Sequence, residues 1–142
     1  MKFSFATFFL SFLCLFTLFI FIACKKSDAG SSFTWTYKGV NYAASKSRAI
    51  PASNGLYTIE ATTIGAMPDV QTGVLPLTVG QYKIPDTAGI GYFERTTGNI
   101  YPADSGIINI TSKSSNSVSG NFSAILNNGE ALTGTFSNVP IQ

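Results

Sequence analysis

From Phe33 onward, apolar side chains tend to recur at every second position, the period of a strand with one buried face. Phe33, Trp35 and Tyr37 alternate with Thr34 and Thr36. Lys38-Gly39 can turn the chain, and Val40, Tyr42 and Ala44 resume the alternation, which predicts a hairpin. Pro51 and Asn54-Gly55 mark the next turn, since Asn-Gly is the strongest short hairpin signal. Further strands are expected over 56–64, 72–79, 80–84, 90–94, 99–101 and 106–111. Between them lie Gly65 to Asp69, Pro85 to Gly89 and the turn Thr96-Thr97-Gly98. Pro76 places 72–79 at a sheet edge or a bulge, because proline donates nothing to the ladder.

The last hairpin carries the clearest pattern. Val118, Gly120, Phe122, Ala124 and Leu126 share one face, and Ser117, Ser119, Asn121 and Ser123 the other. Leu132, Gly134 and Phe136 share a face on the returning arm. A three-residue loop with Gly129 in the left-handed conformation pairs Leu126 with Glu130. That register sets Phe122 opposite Gly134 and Phe136 opposite Gly120, so each ring covers a glycine. The repeated Ser/Thr-Gly-x-Phe-Ser is then packing within one hairpin and not a ligand motif. The expectation is a single all-β domain over 33–142, an antiparallel β-sandwich or a partly open β-barrel of about 8–9 short strands.

The first 23 residues follow a different pattern. Met1-Lys2 is followed by Phe3 to Ile22, 20 residues without a charge and with eight phenylalanines. A run this long can span a hydrocarbon core as a helix, or serve as a secretory signal. Its end decides between them. Phe21-Ile22-Ala23-Cys24 resembles the lipobox of bacterial lipoprotein signal peptides, with Phe21 where leucine is usual. That resemblance implies cleavage between Ala23 and Cys24 and lipid attachment at Cys24, with residues 1–23 a signal-peptide helix. Residues 24–32 are then the acylated cysteine and a polar tether, whose eight residues after Cys24 reach roughly 15 Å as a random coil.

Composition narrows the chemistry. Cys14 leaves with the leader and Cys24 is taken by lipid, so no thiol remains for a disulfide or a metal. Residues 24–142 hold 8 basic and 7 acidic side chains, and no basic run follows Lys25-Lys26, so no nucleic-acid partner is expected. The chain has no histidine, which removes histidine-based triads and imidazole metal ligands. The acids Asp28, Glu60, Asp69, Asp86, Glu94, Asp104 and Glu130 show no calcium-loop spacing, and neither metal nor cofactor is expected. Glu60 and Glu94, both in predicted strands, are the pair that a glycan hydrolase would need across a cleft. Among the aromatic residues Trp35, Tyr82 and Tyr92 are the candidates for facing a ligand, although alternation puts several of them in the core.

A wider resemblance rests on five short stretches. They are Val40-Asn41-Tyr42-x-Ala44, Gly80-x-Tyr82-x-Ile84, Ser105-Gly106-x-Ile108-x-Ile110-Thr111, Ser119-Gly120-x-Phe122 and Gly134-Thr135-Phe136-x-x-Val139. Together they resemble a family of small Bacteroidota lipoproteins of unknown function. The resemblance implies an all-β fold and a lipid-anchored place in the cell envelope, at the outer membrane, with no catalytic residues to carry over. Asp86-Thr87-Ala88 is similar to the short O-glycosylation motif of secreted proteins in that group and makes Thr87 a candidate acceptor. The expected function is a non-catalytic β-domain, not an enzyme, that binds an envelope ligand or protein or acts structurally. A carboxylate-dependent hydrolase of glycans is one alternative, and an inhibitor or accessory protein of an envelope enzyme is the other.

Overall fold

The computed structural model describes residues 30–65, 67, 69–74 and 77–142. The expected signal-peptide helix, Ala23, Cys24 and the first part of the tether lie outside them. The described chain is all-β. Ten antiparallel strands form a curled sheet, a half-barrel, so of the two architectures expected the partly open barrel is the one found.

The strands are β1 (Ser32–Tyr37), β2 (Val40–Ala43), β3 (Lys46–Pro51), β4 (Tyr57–Thr62) and β5 (Val70–Val74), then β6 (Gly80–Ile84), β7 (Ala88–Glu94), β8 (Asn99–Lys113), β9 (Ser117–Leu126) and β10 (Ala131–Pro140). Their order across the sheet is β2-β1-β10-β9-β8-β7-β5-β4-β3, with β6 paired to β8 off this path. The 15-residue β8 makes the curl possible. Its first residues pair with β7, and Gly106 to Ile110 pair with β6 along the same edge. The other edge pairs with β9 from Ala103 to Lys113. The sheet therefore splits along one side of β8 and bends around it. At the far end β3 meets the chain terminus, where Ala49 bridges Ile141 and Gln142 N–H donates to the Ala49 carbonyl at 2.9 Å.

The local reasons are those of the sequence. Lys38 and Gly39 both take left-handed φ, 50° and 75°, as a two-residue hairpin turn between β1 and β2 requires. The β9–β10 loop has three residues, with Gly129 at φ 83° and Leu126 N–H bonded to the Glu130 carbonyl at 2.9 Å. The expected register holds: Phe122 lies opposite Gly134 and Phe136 opposite Gly120. On the other side of β10, Gly134 pairs with Trp35 and Phe136 with Phe33. Large and small positions thus alternate across three strands, and the rings close over the glycines. Phe33 stacks on Phe136 at 5.6 Å and packs at 5.8 Å from Phe122.

Three boundaries depart from expectation. β3 was not foreseen, because Lys46-Ser47-Arg48 is polar and only Ala49 is buried. It is an edge strand ending at Pro51, where a missing N–H costs the ladder nothing. The segments 99–101 and 106–111 are one strand, with a register shift between Ala103 and Ser105 that absorbs the polar residues joining them. β5 covers Val70–Val74 and not 72–79.

Candidate functional site

The sequence candidates do not converge. Trp35 and Tyr92 are 2% and 6% exposed, so both belong to the core and neither faces a ligand at the surface. The reason is the alternation itself: each sits between neighbours of its own strand that point outward. The Trp35 ring stacks on Tyr42 at 5.6 Å, and its Nε1 is buried without a hydrogen-bond partner. The Tyr92 ring lies 4.2 Å from Tyr37 and joins β7 to β1 across the barrel interior. Burial is the main reason that its hydroxyl ionises well above the usual tyrosine range. Tyr82 is half-buried, and its hydroxyl closes a loop locally, donating to the Thr78 carbonyl at 2.8 Å and bonding the Thr78 hydroxyl at 2.6 Å. Thr87 is exposed in the β6–β7 turn, where its hydroxyl donates to the Lys83 carbonyl at 3.2 Å.

Glu60 and Glu94 do not share a cleft. On β4 the buried residues are Ile59 and Ala61, so Glu60 points outward; it pairs with Arg48 at 3.0 Å. On β7 the buried residues are Ile90 and Tyr92, so Glu94 continues the inner face at its rim. There it accepts from Thr97 at 2.8 Å and pairs with Lys38 at 3.5 Å. The Thr97 bond holds the Glu94 carboxyl below its ordinary range, with help from Lys38 and Tyr101 and against partial desolvation. The two carboxylates stand on opposite faces of the sheet, each with its own cation. Among the described residues no group of three or more acidic, cysteine or histidine side chains is placed to hold a metal ion.

Two hollows on the outer face of β5, β7 and β8 are the feature the sequence reading missed. One, of about 410 Å³, is walled by Met67, Phe93, Ile100 and Pro102, with Thr58 and Gln71 at its edge. Its floor is Gly73, Gly89 and Gly91. The other, of about 340 Å³, shares Thr58, Gly73 and Gly89 and continues to Tyr57, Pro85 and Thr87. Gly73 and Gly89 are paired partners, and Gly91 pairs with both Gln71 and Pro102. None of the three has a left-handed φ, and a Cβ added to any of them would meet nothing within 4 Å. Neither backbone conformation nor packing calls for glycine there. Glycine inside a strand costs roughly 0.5–1 kcal/mol relative to alanine, and it commonly marks a bulge, a tight bend of a barrel, or a place where a ligand or a second backbone approaches. The signal was present as Gly89-Ile-Gly91, outward glycines alternating with inward apolar residues, but only the strand pairing brings Gly73 beside them.

A third hollow, of about 630 Å³, lies over a square of threonines, with Thr34 opposite Thr135 and Thr36 opposite Thr133. Three of these hydroxyls are occupied with near neighbours: Thr34 bonds Thr135 at 3.1 Å and Thr36 donates to Asn41 at 2.6 Å. The glycine-floored face is the better candidate, because its composition has no internal explanation.

No family model, curated protein or solved structure matches the chain. The reading of the site rests on its own geometry.

Proposed function

We propose that the chain is a cell-envelope lipoprotein, held by acylated Cys24 at the outer membrane, whose β-domain is a binding module and not an enzyme. The observation that carries this reading is Phe21-Ile22-Ala23-Cys24 at the close of a 20-residue apolar run. The resemblance to small Bacteroidota lipoproteins supports the same placement. The acyl chains supply the membrane attachment, and more than one chain is what stable anchoring requires. Labelled palmitate fed to cells making the intact chain enters the protein and is lost in Cys24→Ser. Label that persists in Cys24→Ser overturns the reading.

The glycine floor supports the binding half of the proposal, and the separation of Glu60 from Glu94 speaks against the hydrolase alternative. The occupant reaches the bare backbone of Gly89 and Gly91 between Gln71 and Pro102, where a side chain at residue 91 would block it. An envelope component that co-purifies with the acylated protein, and no longer does so with Gly91→Leu, is the result this predicts. Thr87 is proposed as an O-glycan acceptor beside the second hollow, and its exposure in a turn suits that role. An intact mass showing the unmodified mature chain from its native type of host would end that part of the proposal.

A further inference from the structure

Three large exposed apolar side chains lie at the end of the sheet where β4 and β7 finish and β5 and β8 begin. Ile64 is 76% exposed, Met67 54% and Ile100 65%. Ile64 and Met67 belong to the connection between β4 and β5, and Ile100 lies on β8 opposite Phe93. Arg95 ties the corner together: its guanidinium donates to the Met67 carbonyl and pairs with Asp69, and Gly65 lies beside it. Nothing within the described chain covers these three side chains.

The tether enters next to this corner. The Ser31 hydroxyl bonds the Ser47 hydroxyl at 2.7 Å, at the start of β3. Lys46 pairs with Thr62, and the Ser45 hydroxyl donates to the carbonyl of Thr63, the residue before Ile64. From Cys24 to Gly30 is six residues, a reach of at most roughly 20 Å when fully extended. If Cys24 is in the bilayer, Gly30 is held within that reach of it, on the side of the barrel where β3 begins and β4 ends toward Ile64.

Charge points the same way. The acids bordering this side are neutralised, Asp69 by Arg95, Glu94 by Lys38 and Glu60 by Arg48. Lys46 has no ion pair among the described residues, and the tether before it carries Lys25 and Lys26 against the single acid Asp28. The unpaired acids Asp86, Asp104 and Glu130 sit in the β6–β7 turn, in β8 and in the β9–β10 loop. Apolar side chains that project from a loop, flanked by cations, suit the interface of an anionic bilayer.

We infer that Ile64, Met67 and Ile100 dock the β-domain on the lipid surface itself, fixing its orientation on the membrane. This rests on the anchoring proposed for Cys24. Docking leaves the glycine-floored face running away from the bilayer along β5 and β7, with its far end at Thr87 open to other molecules.

The acylated full-length protein, with its leader processed, is reconstituted into vesicles of phosphatidylethanolamine and phosphatidylglycerol. With Cys24 blocked by lipid, Ile64→Cys or Ile107→Cys gives a single thiol for an environment-sensitive fluorophore; Ile107 is an exposed control on the outer face of β8. Unchanged Trp35 emission confirms that each variant is folded. Lipids carrying a spin label near the headgroup should quench the fluorophore at residue 64 several-fold more than the one at residue 107. Equal quenching on vesicles that retain the protein overturns the docking and leaves the anchor standing. A protein that the vesicles do not retain removes the anchor, and the docking with it. Shielding at residue 64 in native envelopes but not on these vesicles assigns the corner to an envelope protein and refutes the lipid contact.

Discussion

The same substitution should have opposite effects at two glycines of this sheet. A Cβ added to Gly134 would sit 2.6 Å from the Thr34 carbonyl oxygen and 2.7 Å from Phe122 Cε1. The Phe122 ring has little room to yield, because it lies over Gly134 and packs against Phe33 at 5.8 Å. Gly134→Ala therefore overfills a closed site and should cost roughly 1–3 kcal/mol. A Cβ added to Gly91 meets nothing within 4 Å, and the backbone there is ordinary strand. Gly91→Ala should stabilise the fold by roughly 0.5–1 kcal/mol, by reducing the freedom of the unfolded chain. The gap is at least ~1.5 kcal/mol, which separates the two melting temperatures by ~6 °C or more in a domain of this size. The single tryptophan, Trp35, reports unfolding from inside the core, so urea and thermal midpoints read by its fluorescence measure the gap directly. Gly120→Ala, with a Cβ 2.6 Å from Phe136 Cζ, should follow Gly134→Ala. If Gly134→Ala and Gly91→Ala shift the midpoint alike, the ring-over-glycine account is wrong and the glycine floor loses its claim to a role outside folding.

Three further outcomes follow from polar side chains. Asp69, 5% exposed, accepts from the Thr63 amide and from its hydroxyl at 2.7 Å and pairs with Arg95, so Asp69→Asn should cost roughly 1–3 kcal/mol and speed amide exchange at Thr63. Unchanged exchange would show that the Asp69–Arg95 pair does not hold this connection. At high pH, Tyr92 is the group to watch: its folded pKa is raised above the unfolded value near 10, so its contribution is complete below that value and is lost as pH climbs beyond it. Absorbance titration should show tyrosine ionisation that comes only with unfolding, and Tyr92→Phe should diminish that step. In acid the sign reverses at Glu94, whose lowered pKa gives stability above the ordinary glutamate range that is lost as pH falls through the folded value. Denaturation midpoints of Glu94→Gln and the natural chain should therefore converge as pH falls below the ordinary glutamate range.

Most of the fold was legible because it is written at short range. The β9–β10 register followed from the spacing of two glycines and two phenylalanines about one loop, and the β1–β2 hairpin from Lys38-Gly39 between alternating residues. What escaped were features decided by distant partners. β3 is polar on paper and becomes a strand because β4 and the terminus at Ile141 offer it a ladder. Residues 99–113 read as two strands because polar residues interrupt the alternation where the chain passes from β7 to β6 as its neighbour. The site was less legible for the same reason. Trp35 and Tyr92 look like ligand platforms in a list of aromatic residues; alternation points them inward, but that Tyr92 meets Tyr37 across the interior is decided by the closing of β7 against β1.

Glycine separates the two kinds of constraint in this domain. Gly120 and Gly134 are explained by the rings that cover them, and substituting them tests the fold. Gly73, Gly89 and Gly91 come from two strands, share one outward face and are explained by nothing inside the molecule. A strand interior that gives up side-chain packing at three adjacent sites is less stable than it could be. Strand glycines serve the bending of a curled sheet or the close approach of something that the chain itself does not supply, and the open hollows over these three favour the second. That reasoning locates the contact on β5 and β7 without a catalytic residue in it, and alanine at residue 91 is the substitution for which stability and binding should move in opposite directions.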